Sequence, residues 1–367
     1  LSGWTLNINA NSLIGPFLGP DGWLYMTSAI EGFNVTSKEG VQLKGETSRI
    51  WRVKPDGSDL QWVAAGGMNN PIGLTFTAAS EPLGTMTYFT NPSAGQRDAL
   101  MYWTEGGIYP KPNANIARDK LPRTGDLMTP VSKYSRVAPS GLCRYRSTVM
   151  GEDFFGNLFS SQFNTHRVLR HKLIREGASF RTEDEVFFST DQEDFHPTDV
   201  QEDGDGSLLI VETGGWFIKG CPLSQVSKPE LQGSIYRVRK KSASAVEDPF
   251  GKLIHWNSIT ADQTAAYLQD PRPIVADRSE SIIASKSGAL NSLANILKTS
   301  ASASARTRAV FALYALGTSE SIAIARLGLE DSVADVRIAA ARAAGRLRST
   351  NARLRVARPR RRAGCRG

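Results

Sequence analysis

The phrase Asn70-Pro71-Ile72-Gly73-Leu74 returns as Ala138-Pro139-Ser140-Gly141-Leu142, and again in looser form as His196-Pro197-Thr198-Asp199-Val200. The three copies lie 68 and 58 residues apart. That spacing suits four-stranded sheets of about 40 to 50 residues that carry loop insertions. A strand-forming phrase repeated at this interval is typical of a β-propeller, in which each repeat contributes one radial sheet. The main alternative is a β-sandwich, which would not repeat its phrases.

Two further repeats support the same architecture. An Asp-Gly turn that launches a hydrophobic strand lies within residues 19–25 and recurs within 203–209, and the strand phrase of 48–54 recurs at 233–239. Glycine suits such turns because it adopts the positive φ that they need. We therefore predict an all-β propeller of the six-bladed type over residues 1–241. About four or five blades of that size fit this length, so the propeller is expected to be incomplete, with its N-terminal blades missing.

The sequence changes character after residue 241. Residues 242–269 are predicted to form a linker and a first helix, and residues 270–347 an all-α, HEAT-like solenoid. Gly288, Gly317 and Gly345 lie 29 and 28 residues apart, and each is expected to close a helical phrase. Residues 348–367 contain eight arginines and no acidic residue, and are predicted to form a frayed or aberrant basic tail.

Composition excludes several classes of protein. Of the 44 Lys and Arg residues, eight lie in the basic tail, and the remaining 36 equal the 36 Asp and Glu residues. A nucleic-acid partner would need a basic face on the folded body, and so none is expected. No apolar run is long enough for a membrane span. Cys143, Cys221 and Cys365 lack metal-ligand spacing, and both a Cys143–Cys221 disulfide and two buried thiols stay open.

Several longer phrases resemble a known family, and they lie at residues 138–146, 156–159, 163–168, 194–200 and 213–217. Over residues 1 to about 347 the sequence resembles the large secreted proteins of planctomycetes and verrucomicrobia described as membrane-bound dehydrogenase-like or haem-binding. The resemblance implies a propeller akin to soluble sugar dehydrogenases, then HEAT-like repeats, often with a cytochrome c domain. It also implies export to the periplasm or cell surface, with pyrroloquinoline quinone (PQQ) and calcium as the cofactors of related dehydrogenases. The sequence contains no haem attachment motif, so haem binding is not carried over.

His196 is the strongest candidate for a catalytic residue. It lies on a loop that begins a blade, close to Asp199, and propeller sites gather such loops around a central channel. A histidine and an aspartate there would serve as a general base and its orienting partner, whereas the alternative is a histidine that only fixes the start of the blade. Glu212, Trp216 and Arg136 are candidate ligand-binding residues, since an indole can stack on a sugar ring.

Other motifs favour structural roles. His166 and His171 lie an odd number of residues apart in an expected strand, so they would face opposite ways and share no metal. Residues 203–206 resemble a calcium loop but lack its further acidic ligands, which favours a plain turn. Glu105 begins an acidic-Gly-Gly run similar to the one after Glu212, and both runs are expected at equivalent blade ends. No metal ligand is assigned.

Two functions stay open. The first is an exported quinone-type oxidoreductase acting on sugars or alcohols, which rests on the resemblance. The second is a non-catalytic scaffold whose propeller binds a glycan or a protein and whose helical repeats bind a protein partner. Nucleotide-dependent chemistry is not expected, because the sequence contains no phosphate loop or dinucleotide fingerprint.

Overall fold

The computed structural model of the chain describes residues 2–5, 13–89, 97–109, 114–215, 228 and 230–356, with side chains as far as Arg346. Two compact units are present. The first comprises residues 1–257 and 270–278, and the second residues 258–269 and 279–367. Sheets dominate the first unit and helices the second, which confirms the predicted order of a sheet-rich region followed by a helical one.

Four sheets of three or more strands follow one another along the described residues of the first unit. Their strands, in chain order, are β1 (Ile14–Leu18), β2 (Leu24–Ser28), β3 (Phe33–Thr36), β4 (Gln42–Gly45), β5 (Ser48–Val53), β6 (Gln61–Gly66), β7 (Asn70–Phe76), β8 (Pro82–Thr87), β9 (Asp98–Tyr102), β10 (Ile108–Tyr109), β11 (Ser132–Tyr134), β12 (Pro139–Arg144), β13 (Leu158–Gln162), β14 (Arg167–Glu176), β15 (Ser179–Ser189), β16 (Pro197–Glu202), β17 (Leu208–Glu212) and β18 (Ser234–Val238). Sheet 1 has the order β1-β2-β5-β6-β10, sheet 2 β11-β9-β8-β7, sheet 3 β12-β13-β14-β15 and sheet 4 β16-β17-β18. Strands β3 and β4 form a separate hairpin. Pairing is antiparallel except between β6 and β10.

Each repeated phrase lies on the first strand of its sheet. The copies at residues 70–74, 138–142 and 196–200 fall on β7, β12 and β16, which lie side by side. Hydroxyl groups join each of these strands to the sheet before it: Thr27 of β2 donates to the carbonyl of Pro71 at 2.6 Å, Thr85 of β8 to that of Ser140 at 2.5 Å, and Ser140 of β12 to that of Pro197 at 3.3 Å. A sandwich has only two facing sheets, so this succession favours the propeller-like arrangement, while the number of blades stays a prediction.

The glycine of the phrase allows the first strands to approach closely. A Cβ atom on Gly73 would lie 2.8 Å from the Leu142 amide nitrogen, and one on Gly141 would lie 2.6 Å from the Cα of Asp199. Real Cβ atoms do not approach other atoms this closely, so an L side chain at either position would push neighbouring strands apart. Sheet 4 has Asp199 in place of the glycine, and this side chain therefore fills the space beside Gly141.

Three apolar layers fill the spaces between successive sheets. Tyr25 and Ile50 of sheet 1 pack with Phe76 and Met101 of sheet 2. Leucines of sheets 2 and 3 form the second layer, and Phe159, Val168, Leu208 and Ile210 belong to the third, between sheets 3 and 4. Because side chains alternate across each strand, every inner strand contributes to both neighbouring layers.

The repeated turns also fall at equivalent places. The Asp-Gly turns at residues 19–23 and 203–207 both join the first strand of a sheet to its second, and Gly22 and Gly206 each have a φ of 75°. The phrase of residues 48–54 lies on β5 and that of 233–239 on β18, the third strand described in sheets 1 and 4. The edge at which the first strand of every sheet begins carries the candidate residues, and is called the upper edge below.

The helices of the chain are α1 (Ala114–Arg118), α2 (Ala261–Ala266), α3 (Pro273–Ile283), α4 (Ala289–Thr299), α5 (Ala303–Leu316), α6 (Ser319–Ala325) and α7 (Ala334–Val356). Gly317 ends α5 with a φ of 69°, as predicted. Gly288 instead directly precedes α4, and Gly345 lies inside α7, so the predictions that these two glycines close helices were wrong. Helix α7 continues past Gly345 because glycine costs a helix interior only about 1 kcal/mol. None of the described helices is long and apolar enough to cross a membrane.

We expect Gly141→Ala to lower the free energy of unfolding by at least about 2 kcal/mol, because the new methyl group overlaps Asp199. Urea denaturation followed by fluorescence measures the change. Gly125→Ala is the matched control: no atom lies within 4 Å of its added Cβ, so its unfolding midpoint should stay near that of the wild type. Equal stability of the two variants would contradict the close packing of β12 against β16.

Candidate histidine site at the upper edge

Two histidines brace neighbouring sheets at the upper edge. His166 lies in the turn between β13 and β14, and its Nδ1 atom is 2.5 Å from the carbonyl oxygen of Phe195. His196 lies just before β16, and its Nδ1 atom is 3.4 Å from the carbonyl oxygen of Phe163. Each histidine therefore contacts the backbone next to the other, and the two ring centroids are 5.2 Å apart. The ring of Phe163 stacks on His196 at 4.5 Å.

This reciprocal arrangement fixes the tautomer of both rings. A carbonyl oxygen only accepts hydrogen bonds, so each Nδ1 atom must carry the proton and donate it. In the neutral ring the Nε2 atom then has the lone pair. Burial is the main cause that lowers the pKa of His196 below its ordinary 6.5, and nearby His166 acts in the same direction. His196 is thus held as a neutral imidazole with a basic Nε2 atom near neutral pH, which is what a general base requires.

The hydrogen bonds described for Asp199 go to residues other than His196. Its carboxylate accepts hydrogen bonds from the Val200 amide at 2.9 Å and from the Gln201 side chain at 2.8 Å. Burial raises its pKa. The strand places Asp199 against Gly141, whereas the backbone carbonyl of Phe163 orients the His196 ring. The catalytic role expected of Asp199 stays a prediction.

Two other candidate residues, Glu212 and Arg136, contact segments that adjoin this pair. Glu212, at the end of β17, is buried and accepts hydrogen bonds from the backbone amides of Gly214 and His196, so it supports the loop that carries His196. Arg136 is exposed on the loop before β12, where its carbonyl accepts a bond from the Asn164 side chain at 3.4 Å. Trp216 and Cys221 lie outside the described residues, as does Cys365.

The sequence did not reveal His166 as the neighbour of His196. An alternating strand was expected there, but His166 precedes β14 and adopts the left-handed conformation, with a φ of 52°. The run Asn164-Thr165 was the available signal, because these residues favour turns.

A second histidine cluster has the geometry of a Ser-His-Asp triad. His171 Nδ1 lies 2.8 Å from Asp184 Oδ1, and its Nε2 atom lies 2.8 Å from Ser160 Oγ and 3.4 Å from Tyr134 OH. Ser160 and His171 are both fully buried, so no substrate can reach this hydroxyl. Tyr134 belongs to sheet 2 and the others to sheet 3. The cluster is therefore a polar clasp between two sheets.

Two further motifs have structural contacts. Asp203 and Asp205 lie in a plain turn, and their carboxylates pair with Arg237 of β18 at 2.6 and 3.2 Å. Glu105 follows the lower end of β9 and pairs with Arg52, whereas Glu212 is at the upper end of β17, so the prediction of equivalent blade ends was wrong. The two similar runs follow β9 and β17, which run in opposite directions, so they lie at opposite edges of their sheets. The described residues contain no group of three or more His, Cys, Asp or Glu that could hold a metal ion.

Cys143 is a free thiol in the part of the chain that the structure describes, and it is buried beside β13. Burial is the main cause that raises its pKa to about 12. The thiolate is the reactive form of cysteine, so Cys143 is a packing residue rather than a nucleophile.

Residues 1–242 match the family described as a domain of unknown function, DUF7133. The chain belongs to this family. The match covers sheets 1 to 4 and hence both histidine clusters. No curated protein matches the DUF7133 chain.

Solved structures of several kinds are similar to it. An oxidoreductase named as a glucose dehydrogenase, from Thermus thermophilus, is 20% identical over 60% of this chain and 62% of its own, with a TM-score of 0.41. The PQQ-bound aldose sugar dehydrogenase of Streptomyces coelicolor is 20% identical over 53% of both chains, with a TM-score of 0.36. The calcium-binding protein regucalcin of Agrobacterium tumefaciens is 13% identical over 53% of this chain and 50% of its own, with a TM-score of 0.27. The DUF7133 chain thus spans between half and two thirds of these proteins, and likenesses this distant assign no function.

We expect Asp184→Asn to reduce the dependence of stability on acid pH. Burial opposes ionisation of Asp184, but its hydrogen bond to His171 and the charge of that ring prevail and lower its pKa from 3.8 to about 2. A depressed pKa stabilises the folded state above pH 3.8, and this contribution is lost as the pH falls towards 2. Urea midpoints measured from pH 5 to pH 2.5 should fall less steeply in the variant than in the wild type.

The control for this measurement is Asp191→Asn, which changes an exposed carboxylate in the loop after β15. Its midpoints should follow those of the wild type at every pH. A wild-type slope in Asp184→Asn would show that the clasp does not contribute to acid stability.

Proposed function

We propose that the upper edge of the first unit is the active site of an oxidoreductase that acts on a hydroxyl group of a sugar or an alcohol. The observation that carries this proposal is the state of His196: a half-buried imidazole whose Nδ1 atom is fixed by a backbone carbonyl and whose pKa lies below 6.5. Such a ring accepts a proton at Nε2 near neutral pH without needing to be deprotonated first.

The proposed chemistry is oxidation of an alcohol carbon. His196 Nε2 takes the hydroxyl proton while the hydride on the same carbon passes to a two-electron acceptor of the quinone class, leaving a carbonyl. Phe163, which stacks on His196, and His166, which adjoins it, restrict rotation of the base and keep its ring facing one direction. Glu212 fixes the backbone of His196 through its amide.

The sequence resemblance also implies PQQ with calcium. The described residues do not fit a carboxylate-rich calcium site, because they contain no group of three or more His, Cys, Asp or Glu side chains. Carboxylates that would attract the ion are occupied: Asp203 and Asp205 pair with Arg237, and Glu212 accepts backbone amides. No step is therefore derived through PQQ or calcium, and a soluble quinone dye serves as the acceptor in the assay.

The wider setting is proposed from the resemblance. We infer an exported planctomycete or verrucomicrobial protein with a propeller of the six-bladed type and a helical unit that stacks as HEAT-like repeats and binds a protein partner. Support for the stacking comes from ion pairs that α5 makes with neighbouring segments: Arg306 of α5 contacts both carboxylate oxygens of Asp331, at 2.7 and 2.9 Å, and Arg308 contacts Glu280 of α3 at 2.5 Å.

We expect His196→Gln to lower kcat for dye-linked oxidation of sugars about 100-fold or more, because glutamine removes the base but keeps a polar side chain. Screening with a quinone dye on a panel of sugars and alcohols provides the assay. The acid limb of the wild-type pH profile should lie below pH 6.5, since the pKa of His196 is lowered.

His255→Gln is the matched control, as His255 is exposed and lies outside the upper edge. It should retain wild-type kcat. Glycan binding without any turnover, in the presence of quinone, would reject the enzyme and support the scaffold alternative.

A further inference from the structure

Arg167 differs from the other arginines of its strand. On β14, Arg170 pairs with Asp153 at 3.0 Å and with Glu185 at 2.8 Å, and Arg175 pairs with Glu81 at 2.6 Å. The bond described for Arg167 is from its Nε atom to the amide oxygen of Gln162, at 2.8 Å. Among the described residues, no carboxylate neutralises this guanidinium.

The bond to Gln162 leaves one end of the guanidinium open. A guanidinium has five N–H donors in a planar fork, and the Nε–H group uses one of them. The paired terminal nitrogens, Nη1 and Nη2, remain as two parallel donors, which is the geometry that grips a carboxylate. Gln162 holds the Nε side, so the direction of this fork is fixed before a ligand arrives.

Two more polar atoms near this place have no partner. The Nε2 atom of Gln162 and the Oγ1 atom of Thr87 are both buried without a hydrogen bond, although both residues are at least nine-tenths buried. Leaving such a group unpaired costs about 1 to 3 kcal/mol. Both atoms are enclosed by the protein, so the ligand contact is assigned to the Arg167 fork alone.

Strand alternation brings these groups together. Gln162 and Arg167 are directly paired across β13 and β14, so their side chains project on the same side of sheet 3. That side faces sheet 2, because Leu158 and Leu169 on it belong to the layer between the two sheets. Thr87 is at the upper end of β8 and continues the face of Leu83, in the same layer. All three residues thus face the layer between sheets 2 and 3 near its upper edge, Thr87 on β8 and the other two on the hairpin that also carries His166.

We propose that Arg167, positioned by Gln162, binds the carboxylate of an acidic sugar. This inference rests on the proposed function, because it names the substrate class of the same site. The hairpin of residues 162–167 carries the carboxylate site at its base and, through Phe163 and His166, contacts His196 at its tip. Because Arg167 faces sheet 2 and His196 begins sheet 4, such a sugar would span the tip of this hairpin, with its carboxylate at Arg167 and a hydroxyl group at His196.

The charge of the site selects a carboxylate over a phosphate. One uncompensated guanidinium carries a single positive charge and a planar pair of donors, which matches a planar monoanion. A phosphate dianion would bring one more negative charge than this guanidinium neutralises. Glucuronate, glucose and glucose 6-phosphate therefore form a discriminating set of probes, since they share the sugar ring and differ in this group.

Calorimetric titration of the full chain, without an electron acceptor, tests the inference. We expect glucuronate to bind at least about tenfold more tightly than glucose or glucose 6-phosphate, and Arg167→Gln to remove this preference. Arg167→Lys keeps the charge but loses the fork, and should retain only part of it. Arg181→Gln is the matched control: it removes the same charge from an exposed position on the neighbouring strand β15 and should keep the full preference. Thermal melts establish that each variant is folded.

Equal binding of the three sugars, absence of glucuronate binding by the wild type, tighter binding of the phosphate, or an unchanged preference in Arg167→Gln would each overturn this inference. Its failure is distinguishable from failure of the proposed function. Binding in the calorimeter needs no turnover, so His196→Gln should still bind glucuronate. Oxidation of neutral sugars that depends on His196 and not on Arg167 would leave the proposed function standing and remove the acidic substrate.

Discussion

The close approach of the first strands is the constraint on which the first unit depends. Gly73 and Gly141 let β7, β12 and β16 approach until backbone touches backbone, and hydroxyl groups of Thr27, Thr85 and Ser140 each reach a carbonyl on the first strand of the next sheet. Once these strands are fixed, the spaces between the sheets are fixed too, and apolar side chains fill them at the density of a protein interior. The loops that begin the sheets are consequently brought to one edge.

Burial, rather than residue type, separates the roles of the two histidine clusters. His171 has a carboxylate and a serine hydroxyl in the arrangement of a hydrolase, yet both His171 and Ser160 are sealed between sheets. His196 contacts a backbone carbonyl and an aromatic ring instead, and it lies half-buried at the upper edge. Partial burial lowers the pKa of His196 and leaves part of its ring exposed. Complete burial leaves His171 and Ser160 with the role of joining two sheets.

The hairpin of residues 162–167 joins the two proposals. Its base carries Gln162 and Arg167, whose paired position on adjacent strands aligns them, and its tip carries Phe163 and His166, which fix His196 of the next sheet. One short segment thus carries the guanidinium of Arg167 and also fixes the ring of His196. Sheet packing provides the rigidity, since both ends of the hairpin continue into buried strands.

By itself the sequence determined the order of β and α regions, the first strand of sheets 2 to 4 and the turns that follow the first strands of sheets 1 and 4, because strand alternation, turn residues and repeat spacing are local properties of the chain. It also predicted His196 as a candidate base, and this role stays a prediction. Only the tertiary structure decided that His166 is its neighbour, that Asp199 faces Gly141 instead, and that Glu105 and Glu212 end on opposite edges. These facts depend on how residues about 30 to 100 positions apart meet across sheets, and on strand direction, neither of which a repeated phrase records. The helical unit shows the same limit of sequence-based prediction. Gly317 ends α5 whereas Gly345 lies inside α7, although both glycines follow similar alanine-rich phrases.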